Sequence, residues 1–121
     1  MTLQTQPAIL LIGKDGTLRY LLARFAEHSG FQWRISPDQV SSREIAAMKP
    51  DVILFLSTEA LAQDPTLVAE LSNLDAPIVV CSSVLEEARS RELGADYCLL
   101  HPLTYRDFQA ALETIMAAKR A

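Results

Sequence analysis

The sequence predicts an α/β domain in which five parallel strands alternate with helices, a (βα)5 three-layer sandwich. Three observations point to it. Apolar runs of strand length recur at Ala8 to Ile12, Phe31 to Ile35, Val52 to Leu56, Pro77 to Cys81 and Tyr97 to Leu100, each followed by a stretch of helical character. The runs around Ile9, Ile53 and Val79 are continuously apolar, as in parallel strands covered by helices on both faces. Finally, 121 residues, 50% of them hydrophobic, can bury roughly two thirds of the unfolded surface, enough for one core. One domain over residues 1–121 is therefore expected.

The helices carry their own start and stop signals. Thr17 is a candidate cap for the first helix. Ser41 with Glu44 reads as a capping box, with Val40 and Ile45 as its hydrophobic staple. Asp64 before Pro65 reads as an N-cap with proline at the first helical position, Ser83 with Glu86 as a second capping box, and Thr104 with Asp107 as the start of the last helix. Gly30 and Gly94 read as helix stops. Leu18, Leu21, Leu22, Phe25 and Ala26 in the first helix, and Phe108, Ala111, Leu112, Ile115 and Met116 in the last, follow the spacing of one buried face. Ser57 to Gln63 is expected to be the only long loop.

In the second strand Phe31, Trp33 and Ile35 alternate with Gln32 and Arg34, which marks an edge strand with its indole packed under a helix. Right-handed crossovers with the second strand at an edge favour the order 2-1-3-4-5, the flavodoxin-like arrangement.

Composition narrows the function classes. A net charge of −4 argues against a domain that grips nucleic acid by itself, because phosphate binding needs a surplus of Lys and Arg. No apolar run approaches the roughly 20 residues that span a bilayer, and Met1 to Gln6 lack the basic and apolar stretches of a signal peptide, so a cytoplasmic protein without membrane contact is expected. Cys81 and Cys98 sit in apolar runs rather than CxxC pairs, which predicts two separate core thiols and no zinc.

In such a sheet ligands bind beyond the carboxyl ends of the strands, where the strand order reverses. The loops there hold Gly13, Lys14 and Asp15, then Ser57, Thr58 and Glu59, then Ser82 and Ser83, then His101 and Pro102. With these residues in place the chain resembles the receiver domain of two-component response regulators over essentially its whole length. Ile9-Leu10-Leu11-Ile12 with Arg19 resembles the family's first strand and helix, and Pro50-Asp51-Val52-Ile53-Leu54-Phe55 its third strand. Pro77-Ile78-Val79-Val80-Cys81-Ser82-Ser83 resembles the fourth, with Ser82 at the hydroxyl position. Gly94-Ala95-Asp96-Tyr97 with His101-Pro102-Leu103 resembles the fifth and its cis-proline turn.

The resemblance implies a pocket that this chain has altered. The acidic pair that holds Mg²⁺ in active receivers aligns with Gly13 and Lys14, leaving Asp15 as the acidic residue. The phospho-accepting aspartate aligns with Leu56, the characteristic lysine with His101 and the aromatic switch with Cys98. Asp51 lies at the opposite end of its strand, roughly 17 Å away, and Ser57 is the other hydroxyl nearby. The segment from Ser82 to Gly94 is short, which predicts a truncated fourth helix. A pseudo-receiver with no metal, no cofactor and no catalytic activity is therefore expected: an atypical response regulator domain acting as a phosphorylation-independent interaction module.

Other readings attach to single residues. Lys14 beside Asp15 would imitate the metal's charge or else face solvent. Ser82, His101 and Asp15 supply the residue types of a hydrolytic triad, without the nucleophile turn that one needs. Gly13-Lys14 lacks the rest of a Walker motif, and the first and third loops lack the aromatics of a flavin site. The expected partners are signalling proteins, a kinase, a regulator or a second copy. They would meet the face of the fourth helix, fifth strand and fifth helix through Glu86, Arg89, Tyr105, Arg106 and Glu113. Alternatives are a sensor whose pocket takes a small ligand or cation, and the N-terminal receiver of a longer regulator with an output domain beyond residue 121.

Overall fold

The computed structural model of the protein describes residues 6–37 and 39–120, so the reading of Met1 to Gln6 lies outside it for residues 1–5. The chain runs β1 (Ala8–Ile12), α1 (Gly16–His28), β2 (Gln32–Ile35), α2 (Ser42–Met48), β3 (Val52–Phe55), α3 (Thr58–Ala62), α4 (Pro65–Leu71), β4 (Ile78–Ser82), a 3-10 turn (Val84–Glu86), α5 (Glu87–Glu92), β5 (Tyr97–Leu100) and α6 (Tyr105–Arg120). All strand pairs are parallel and the order is β2-β1-β3-β4-β5, as the sequence predicts. No helix among the described residues is long and apolar enough to cross a membrane.

The continuous apolar runs are explained by two cores, one on each face of the sheet. Ile9, Leu11, Val52, Leu54, Val79 and Cys81 pack against Leu22 and Ala26 of α1 and Phe108, Leu112 and Ile115 of α6. Their neighbours Leu10, Ile53, Phe55, Ile78 and Val80 pack against Ile45 of α2, Leu61 of α3 and Leu67, Val68 and Leu71 of α4. Because side chains alternate across a strand, every residue of these runs finds a helix. At about 25 cal/mol per Å² of apolar surface, this two-sided burial is the main stabilising term.

Several local expectations change. Asp15, not Thr17, caps α1, its Oδ1 accepting the Leu18 amide at 3.0 Å; the helix begins at Gly16, so Thr17 already lies inside it. The expected loop at Ser57 to Gln63 is α3: Ser57 Oγ accepts the Ala60 amide at 3.0 Å, and Thr58 and Leu61 are buried. This extra helix makes the helix after β4 the fifth, and it is short, six residues behind a single 3-10 turn. Ser83 caps that turn rather than α5, accepting the Glu86 amide at 3.2 Å. Leu21 is 39% exposed, outside the core stripe of α1.

The signals at Ser41 with Glu44, Asp64 with Pro65, and Thr104 with Asp107 form as read. Strand β2 is exposed along its length, which suits an edge, but Trp33 is not covered by a helix. Its ring lies open beside α1, with Nε1 donating to Glu27 at 2.9 Å.

Candidate functional site

At the carboxyl ends of β1, β3 and β4 lies a hollow of about 350 Å³, lined by Asp15, Leu18, Leu21, Leu56, Ser57, Thr58, Ser82, Ser83, Glu86 and His101 among others. Its floor is Leu56, 2% exposed, whose amide donates to the Ile12 carbonyl at 2.8 Å and so continues the β1–β3 ladder. Gly13 turns the chain out of β1 with φ +144°, a conformation that side chains rarely adopt. A Cβ at Gly13 would stand 2.7 Å from Leu56 Cβ and 2.9 Å from its Cγ. Leucine at 56 thus occupies the space that a side chain at 13 would need.

The polar residues beside this floor are engaged with the scaffold. The Asp15 carboxylate caps α1. Lys14 is exposed and does not line the hollow. Ser82 Oγ lies 3.2 Å from Thr58 Oγ1 and 3.2 Å from Ser90 Oγ, and Thr58 and Ser90 are 2.9 Å apart. These three buried hydroxyls form a closed triangle tying α3, β4 and α5 together. Each member has partners, so none is a costly orphan. The sequence places Thr58 in the pocket loops without a role and does not mark Ser90, since a Ser in a charged helix carries no motif. Only the crossing of three elements reveals them.

His101 is exposed, its amide donates to the Ser82 carbonyl at 3.0 Å, and the bond to Pro102 is cis. Ser82, His101 and Asp15 therefore share a hollow without forming a relay: the serine bonds to hydroxyls and the aspartate to a helix amide. Mg²⁺ needs several well-placed oxygens. Here Gly13 offers no side chain, Leu56 no side-chain oxygen, and Asp15 has its carboxylate at the helix cap, so the residues do not fit the ion. Among the described residues no group of three His, Cys, Asp or Glu side chains is placed to hold a metal.

Cys81 and Cys98 sit one step out of register, Cys81 opposite Leu99 and Cys98 opposite Val80, and they face opposite cores. Both are free thiols. Burial pushes the Cys81 thiol up to about 12. Cys98 is raised as well, by burial foremost, with Arg91 lowering it and Glu87 raising it. Asp51, at the far end of β3, accepts the Ala8 amide at 2.8 Å and pairs with Lys119 at 3.5 Å.

The five expected interface residues do not share one face. Glu86 and Arg89 are exposed around the 3-10 turn and α5. Tyr105 leans the other way, its hydroxyl donating to the His28 carbonyl at 3.1 Å and its ring 5.5 Å from Phe25. Glu113 lines a groove with Ser29, Gly30 and Phe31, again toward α1, and Arg106 is exposed beside Tyr105. The phase of α6 separates them: with Phe108, Leu112 and Ile115 buried, residues 105 and 113 fall on the α1 flank rather than toward β5.

No family model matches the chain, and no curated protein is similar to it in sequence. Solved structures match over nearly its full length. A two-component response regulator from Clostridium difficile superposes with TM-score 0.71 at 19% identity, covering 96% of this chain and all of that one. The N-terminal domain of the nisin resistance regulator NsrR gives 0.69 at 25% identity, covering 93% and 99%. A putative pilus assembly-related protein from Burkholderia pseudomallei gives 0.67 at 20%, covering 98% and 96%. The fold is that of the response regulator receiver. On this receiver fold, Leu56 and Gly13 stand at the end of the central strands, where the hollow opens.

Proposed function

We propose that this chain is a pseudo-receiver in a signalling pathway, one receiver-like domain that contacts other proteins without being phosphorylated. The observation that carries the reading is Leu56 seated against Gly13, which leaves no carboxylate at the strand end and no room for one at position 13. The receiver fold and the names of its solved neighbours, response regulators in the main, support the signalling role. The hydroxyl of Ser82 is held in the triangle, and among the described residues no three His, Cys, Asp or Glu side chains are grouped to hold a metal, which supports a pocket that serves as a fixed structural element while the work falls to the surface. A net charge of −4 favours protein partners, a kinase, a regulator or a second copy, over nucleic acid.

The test is incubation with acetyl phosphate and Mg²⁺ followed by intact mass. The reading expects an unchanged mass; a gain of one phosphoryl group overturns it. The hollow of about 350 Å³, with Leu18, Leu21 and Leu56 as apolar wall and His101 and Glu86 at the rim, favours a second reading, a site for a small ligand. A ligand-dependent rise in melting temperature supports that second reading, because binding the native state stabilises it.

A further inference from the structure

Six large hydrophobic residues are exposed among the described residues, and five of them fall into two patches. Tyr20, Trp33 and Ile35, at 68%, 36% and 42% exposure, line a hollow of about 380 Å³ between α1 and β2, rimmed by Arg19 and Arg24. The bond from Trp33 Nε1 to Glu27 braces its wall, and Arg24 in turn lies 3.9 Å from that carboxylate. The surrounding segment is basic within an acidic protein: residues 6–37 hold Lys14, Arg19, Arg24 and Arg34 against Asp15 and Glu27, while the whole chain is −4.

The second patch has the opposite chemistry. Val84 and Leu85, at 70% and 94% exposure, form the tip of the 3-10 turn and are followed at once by Glu86 and by Glu87, which pairs with Arg91 at 3.3 Å. The Ser83 cap fixes this turn, so the apolar pair is presented on rigid backbone. An exposed leucine on an ordered turn gains by burial elsewhere. Tip and hollow do not meet within one molecule: the hollow lies between α1 and the edge strand β2, and the tip follows β4, three strands away in the sheet.

We propose that the Val84–Glu87 tip of one copy docks in the α1–β2 hollow of another, Val84 and Leu85 against Tyr20, Trp33 and Ile35, with Glu86 facing Arg19. Two different surfaces meet, so the contact is head-to-tail and each added copy offers a fresh tip or hollow. It touches the pocket only at its rim, through Glu86, and leaves Gly13, Leu56 and Ser82 out, so its failure and that of the phosphorylation-independent reading are separate results.

Trp33 is the sole tryptophan, and its emission reports docking directly. Sedimentation velocity and emission of the whole chain are measured together from micromolar to millimolar concentration. The mass is expected to climb past that of a dimer, with a blue shift, and to fall as salt screens the charges. Leu85→Asp and Trp33→Ala, each checked for native circular dichroism, should each weaken association by about tenfold or more. Arg19→Glu, which removes no apolar contact, should weaken it as well. Mixing Leu85→Asp, which keeps the hollow, with Trp33→Ala, which keeps the tip, should restore a dimer and shift the one tryptophan present. A wild-type monomer at every concentration, association undiminished in the variants, or a monomer that takes only a separate Val-Leu-Glu-Glu peptide overturns the proposal.

Discussion

A β-carbon added at Gly13 would lie 2.7 Å from Leu56 Cβ, so these two positions are fitted to each other. Gly13→Ala must accept both a φ of +144° and this overlap, and is expected to cost roughly 2–4 kcal/mol in urea unfolding. In a Leu56→Gly background, which removes Cβ as well as Cγ and Cδ1, the overlap is relieved and the strain remains. The double-mutant cycle should then return a coupling of about 1 kcal/mol or more.

Removing one corner of the hydroxyl triangle leaves the other two bonded to each other. Thr58→Val and Ser90→Ala should therefore each cost only about 1 kcal/mol. Because Ser90 is the link to α5, amide exchange over Glu87–Glu92 should accelerate in Ser90→Ala ahead of the central strands.

Asp51 has two duties, accepting the Ala8 amide and pairing with Lys119. Asp51→Ala orphans a half-buried amide and should cost about 1–3 kcal/mol. Asp51→Asn keeps an acceptor and loses the partly exposed ion pair, worth under about 1 kcal/mol. Thermal unfolding of the two variants side by side checks the difference.

Cys81 gives a pH signature. Its thiol titrates at about 12 when folded against the ordinary 9.0, so above pH 9 the unfolded chain gives up a proton that the folded one keeps. The unfolded state then binds fewer protons, and stability falls as pH rises from 9 toward 12, by at most about 1.4 kcal/mol per unit. A Cys81→Ala variant should lose that part of the slope, and the native thiol should resist alkylating reagents at pH 8 until urea exposes it.

Much of this was legible in the residues. Five apolar runs, Gly30 and Gly94 as stops, and the alternation in β2 were enough for the strand order, because each is a local signal read at a fixed period. Leu56 at the end of β3 was legible in the same way. Less legible was what depends on distant partners. Thr58, Ser82 and Ser90 meet only when α3, β4 and α5 cross. Tyr105 turns to His28 because of a helix phase that the charges around it do not reveal. Asp15 displaced Thr17 as cap by two residues, a margin that capping preferences alone do not resolve.

We propose that the floor built by Leu56 and Gly13 stands where a receiver's phosphorylation site would be. Amide spectra of the labelled protein titrated with beryllofluoride and Mg²⁺ test it most directly. The amides of Gly13, Leu56, Ser57 and Ser82 are expected not to move. Saturable shifts at those amides would contradict it and make the chain a working phosphoryl switch of another design.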